Sequence, residues 1–273
     1  MPKRKRTLPD YDNPPVTEVV ISVQFDKLNK FGIVHPGLYW NRIRKDYPKF
    51  EEHPPLQLIF EKFDEEKQTV QELEFSTVPP LPRIWYLDES GNRLVQLQST
   101  RFIHNWRKIT GEEDYPRYER IRKEFSELWK DFLNFVSEQK LGEVKPNHWE
   151  LTYVNHIQKG DGWNSPKDLG KLFPCMSDHN KESFLPEPEH INFKSVYIFP
   201  KVLGRLYISF ASALRRSDLA DIIRLDLTAR GRLDSPDTSS IMCGLDNGHE
   251  WIVRGFTDFT SSEAHKIWKR KDI

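Results

Sequence analysis

Apolar and polar residues alternate through 16–25, and Val19, Ile21, Val23 and Phe25 fall on one face. A period of two is the signature of a half-buried strand. A short helical pattern follows over 36–46, with Pro36 suited to its first turn. Extended segments are expected at 57–63, 70–77, 83–87 and 93–104, and Asp-Glu-Ser-Gly-Asn at 88–92 reads as the hairpin turn between the last two. The period then changes. Tyr118, Ile121, Phe125, Leu128, Phe132 and Phe135 recur at three-and-four spacing, which predicts a long helix over 116–138 with one continuous apolar stripe.

The second half repeats this order. A strand is expected at 148–157, a short helix at 166–172, and extended segments at 191–199, 205–214 and 222–230. Helices are expected near 245–256 and 262–269, the latter with Ser262 as its N-cap. Val-Gln-Leu-Gln-Ser at 95–99 is locally similar to Leu-Asp-Leu-Thr-Ala at 225–229. The pattern predicts an α+β fold of duplicated strand–helix–antiparallel strands–helix units. These would form two antiparallel sheets or one curved sheet, covered by long helices that must bury their stripes. The expected division is a flexible basic tail over 1–12, a first repeat over 13–143 and a second over 144–273. A cleft between repeats is a natural place for a site. The segment 158–189, rich in Gly, Pro, Asp and Lys, reads as a long excursion or lid.

Charge narrows the picture. Lys plus Arg and Asp plus Glu balance at 41 each, so no overall field favours nucleic acid or an anionic membrane. The run Lys3-Arg4-Lys5-Arg6 is local, and reads as a solvated terminus, a nuclear signal or a phosphate-binding arm. No apolar run approaches the roughly 18 residues that span a bilayer, and no secretory h-region opens the chain. Cys175 and Cys243 are far apart and form no CxxC pair, which predicts reduced, buried thiols and a cytoplasmic protein.

The densest set of partner-facing residue types lies where the strand ending near His104 hands over to the long helix. Arg101, Asn105, Trp106, Arg107, Lys108, Tyr115 and Arg117 are the candidate ligand- or partner-binding residues. Arginines can fork onto a phosphate or carboxylate, rings can stack, and a helix start welcomes anions. The competing reading is an internal ion-pair network with Glu112, Glu113 and Asp114, and Trp106 plugging the core. Cys175, Asp178 and His179 lack the second close pair that a zinc site needs. No phosphate loop, dinucleotide fingerprint or nucleophile elbow occurs. No cofactor, metal or catalytic residue is therefore assigned. Among the nine His residues, His249 and His104 are first choices should the protein be a nuclease.

The segments at 13–25, 94–108 (Leu-Val-Gln-Leu-Gln through Asn-Trp-Arg-Lys), 115–125, 150–157 and 249–268 resemble a sporadically distributed family of prokaryotic proteins of similar length. The resemblance carries over no activity, cofactor or site residue. Its patchy distribution implies an association with defence or mobile genes. The function expected is a non-enzymatic binding or sensor module that recognises a partner protein or small anionic ligand in the inter-repeat cleft. One alternative is a single-stranded RNA- or DNA-binding protein or metal-independent ribonuclease. Another is a small-molecule sensor or enzyme with an apolar cavity lined by Trp40, Trp85, Trp129 and Tyr153.

Overall fold

The computed structural model describes residues 7–61, 63, 80–176, 184–200, 203–215 and 217–271. The basic run at 3–6, the extended segment expected at 70–77, and Asp178 and His179 lie outside the described residues. The elements are β1 (Val16–Phe25), α1 (Val34–Ile43), β2 (Lys49–His53), β3 (Arg83–Leu87), β4 (Arg93–Gln98), β5 (Arg101–Arg107) and α2 (Tyr118–Glu138). The second half adds β6 (Pro146–Gln158), a 3-10 turn at Pro166–Asp168, α3 (Leu169–Leu172), a further turn at Pro174–Met176, and β7 (Asn192–Ile198). It ends with β8 (Gly204–Leu214), β9 (Asp221–Arg232), α4 (Thr238–Phe259) and α5 (Ser262–Ile267).

The strands form a single antiparallel sheet in the order β2-β3-β4-β5-β1-β6-β9-β8-β7. Of the two arrangements expected, the described strands form one sheet. The reason is the β1–β6 ladder. Its register runs from Val16 opposite Asn155 to Phe25 opposite Pro146, and it satisfies both inner edges. β5 flanks β1 and β9 flanks β6, so the similar segments 95–99 and 225–229 do not hold equivalent places in the sheet.

One face of the sheet carries the helices. α2 buries Ile121, Phe125, Trp129, Phe132 and Phe135, and Phe102 of β5 stacks on Phe132 at 4.9 Å. α4 lies over β6 and β9 on Gly244 and Gly248, where an added Cβ would fall 2.5 and 2.7 Å from the Trp149 ring. The small residues let the helix settle onto a tryptophan. No described helix lies on the opposite face, where polar residues mix with the buried Leu94, Ile103 and Val154. That face presents Gln24, Gln98, Arg101, Asn105, Glu150 and Arg230.

Other expectations change in detail. The extended segment at 93–104 is two strands, turning at Ser99-Thr100. The residues at 57–61 form neither helix nor strand. Part of the expected tail is tied down: Tyr11 is buried, its hydroxyl 2.9 Å from Thr257 Oγ1, and Asp10 pairs with Arg117 and Lys271. Cys175 and Cys243 are free thiols but exposed, not buried, because each falls on an outward position of its helical turn. No described helix is long and apolar enough to cross a membrane.

Candidate functional site

The start of α2 is set by Arg117, which adopts a φ of 70°. That is a costly backbone for a residue with a Cβ, and such strain persists only where neighbours hold it. Here the guanidinium donates to Asp10 Oδ1 at 2.9 Å and to the Tyr11 carbonyl at 3.0 Å, and lies over the Tyr115 ring. The clamp fixes the N-terminal segment against the helix start. One residue later, Tyr118 stacks face to face on His249 of α4, with centroids 4.0 Å apart. Its hydroxyl donates to Asp246 at 2.9 Å, and Arg122 grips the same carboxylate with two nitrogens at 2.6 and 2.8 Å. α2 and α4 are locked together at this point.

Beside the lock the helices part and leave a cavity of about 330 Å³ over the β1–β6 seam. Tyr11, Tyr115, Tyr118, Tyr153, His249 and Phe256 wall it, and Val16, Asn155 and Leu227 form its floor. The hydroxyls of Tyr115 and Tyr153 meet at 2.9 Å. Asn155 is fully buried and spends its amide on the Leu225 carbonyl.

The walls are electrically neutral near pH 7. Burial pushes the His249 pKa down to about 4, outweighing the pull of Glu119, Asp246 and Glu250. Burial likewise drives the Tyr115 and Tyr153 hydroxyls well above the usual tyrosine range, so both stay protonated. Charge is confined to the rim, where Arg117 is already paired with Asp10 and where Glu119 sits. An imidazole, tyrosine hydroxyls and flat ring faces around an apolar space can stack a planar group and hydrogen-bond its edge.

The seven sequence candidates do not form one cluster. Tyr115 and Arg117 line the cavity. Trp106 lies on the same side of the sheet but is buried, packed at 5.6 Å against Tyr115. Arg101, Asn105 and Arg107 point to the opposite face, as odd positions of β5. Arg101 donates to Gln24 at 2.7 Å, Asn105 bridges Gln96 and Glu18, and Arg107 lies over the Trp85 ring while donating to the Gly91 carbonyl. Lys108 reaches the Gly111 carbonyl at the strand's end. Glu113, expected to pair with these cations, instead accepts from the backbone of Ile109, Thr110 and Gly111.

Sequence reasoning missed Tyr11, Tyr118 and Phe256 as cavity walls, and of the four residues named for an apolar cavity, Trp40, Trp85, Trp129 and Tyr153, only Tyr153 lines this one. Tyr118 and Tyr153 carry the same apolar periodicity as true core residues. Among the described residues no group of three or more His, Cys, Asp or Glu is placed to hold a metal ion. A second hollow, about 410 Å³, opens between α4 and the outer strands. Its polar residues include Glu250 and Arg254, paired one turn apart on α4 at 2.9 Å. No protein-family model, curated protein or solved structure matches the chain.

Proposed function

We propose that this protein is a binding module whose cavity between α2 and α4 takes a small planar ligand with an apolar body and one polar edge. The observation that carries the reading is the set of neutral aromatic walls, with His249 stacked on Tyr118 and the Tyr115–Tyr153 hydroxyl pair facing the same space. A volume of this size lies at the small end of ligand sites. The pairing of Arg117 with Asp10 narrows the earlier expectation of an anionic ligand, because the rim guanidinium is already neutralised.

The same reading takes the chain as two copies of one unit, related about an axis between β1 and β6. The order of elements supports it, as does the sheet order, in which each half extends outward from its own first strand. The cavity then belongs to both copies, since α2 comes from one and α4 from the other. The nucleic-acid alternative draws less support. Trp106 is buried, and the Trp85 ring lies between His53 at 3.9 Å and the guanidinium of Arg107.

A ligand-observed NMR screen of one- and two-ring heteroaromatic fragments tests the proposal. Val253 of α4 also lines the cavity, so hits are expected with the wild type and lost with Val253→Trp, which places an indole there. Hits that persist in a folded Val253→Trp protein would place binding elsewhere.

A further inference from the structure

The open face of the sheet carries a second built site, independent of the cavity. Residues 56–61 cross it from β4 over β5, β1 and β6 to β8, held by side chains and not by a ladder. The amide of Gln98 on β4 accepts from the Leu56 N–H at 2.9 Å and donates to the Leu56 carbonyl at 3.1 Å. The amide of Gln24 on β1 does the same for Ile59, at 2.9 Å in both directions. Arg101 steadies the span from β5, donating to Gln24 and to the Gln57 carbonyl. Beyond them, His148 on β6 accepts the Glu61 N–H at 3.2 Å.

The Glu61 carboxylate then enters a cradle at the far side. Arg205 on β8 donates to one oxygen, while the Tyr207 hydroxyl at 2.6 Å and Arg230 on β9 at 3.4 Å reach the other. Glu61 is 6% exposed. A buried carboxylate is tolerated only with such charge-assisted partners.

The grip reads backbone and one acidic side chain, and it ignores the rest. Leu56, Leu58 and Phe60 are 36, 41 and 62% exposed. An apolar strap that leaves its apolar side chains in water gains little from the hydrophobic effect. What holds it is what any extended acidic peptide could supply.

We propose that this face is a recognition site for an extended peptide bearing an acidic side chain, and that residues 54–61 are its resident occupant in cis. A peptide binding in trans would place two residues, three apart, on the Gln98 and Gln24 amides. Its carboxylate, two residues further on, would enter the Arg205–Tyr207–Arg230 cradle. The strap competes with it, so occupancy depends on the strap's release.

The test uses the full chain and a fluorescent peptide of sequence 54–61, against the same peptide with Gln in place of its Glu. In the Glu61→Gln protein, whose strap has lost its charged anchor, the acidic peptide is expected to bind at least about tenfold tighter than the Gln peptide, as befits a charge-assisted contact. It should also bind more tightly than to wild type, and adding Arg205→Met, which removes the closest cation of the cradle, should reduce the preference. Near-UV circular dichroism checks the fold. Should Glu61→Gln not fold, hydrogen exchange on the wild type decides instead: saturating acidic peptide is expected to speed exchange of the Leu56 and Ile59 amides. Equal binding of the two peptides, binding of inorganic phosphate alone, self-association of Glu61→Gln in place of peptide binding, or unchanged exchange overturns the proposal.

Discussion

His249 and His148 sit on opposite faces of the sheet and are governed by the same physics. Burial holds each at a pKa of about 4, well below the ordinary histidine value of about 6.5. At His148 the pull of Glu61 opposes that shift, and the nearby arginines reinforce it. A depressed histidine takes up its proton more readily in the unfolded chain. The stability it contributes is therefore present above about pH 6.5 and is lost as pH falls toward 4. Urea unfolding at pH 7 and pH 5 should give a lower midpoint at pH 5, and His249→Phe should shrink the difference. A midpoint unchanged between the two values would show that neither ring is buried neutral. At this scale the sequence was a poor guide. The run from Arg101 to Arg107 is one stretch of polar and aromatic letters, but a strand sends alternate residues to opposite sides. Trp106 and Arg107 are neighbours in the chain and face different layers of the molecule.

α4 shows how an element is both written in the sequence and hidden by it. The helix was legible from its apolar spacing over 245–256, but it begins at Thr238, where Asp237 accepts the Ser240 N–H at 2.8 Å. Gly244 and Gly248 mask the early turns, since glycine is a poor helix former. Their reason is tertiary: they give room to Trp149. Gly244→Ala should gain helix propensity yet destabilise the protein by about 1–3 kcal/mol, the range for overpacking a tight core. Denaturant unfolding checks this, and a stabilised Gly244→Ala would mean that the helix does not rest on Trp149. β1 and β3 were read at their true limits because their apolar residues alternate, with Val19, Ile21, Val23 and Phe25 of β1 and Ile84 and Tyr86 of β3 all buried. The β4–β5 hairpin was missed because Ser99-Thr100 is a turn without Gly, Asn or Pro. The strap at 54–61 carries a strand's composition but pairs with no described strand, so pattern alone could not separate it from the sheet.

For the whole molecule the decisive feature is the β1–β6 seam. It joins the two halves into one sheet, places a helix from each half side by side, and leaves the aromatic cavity where they diverge. No periodicity in the chain could announce that cavity, because its walls come from the N-terminal segment, the start of α2, β6 and the middle of α4. The mixed helix-and-strand class was legible with most of its elements, but β2 was not expected. Which rings line the cavity was decided by how the helices cross. The same sheet turns a polar face away from the helices, so the molecule has two surfaces of different chemistry, one aromatic and neutral, the other built for an extended acidic chain. The central claim is that the cavity holds a small planar ligand. Native mass spectrometry of protein purified from its natural source, set beside Val253→Trp from the same source, tests it most directly. A small-molecule adduct is expected on the wild type, released by denaturation and absent from the variant. An adduct carried equally by both proteins, with the variant folded, would contradict it.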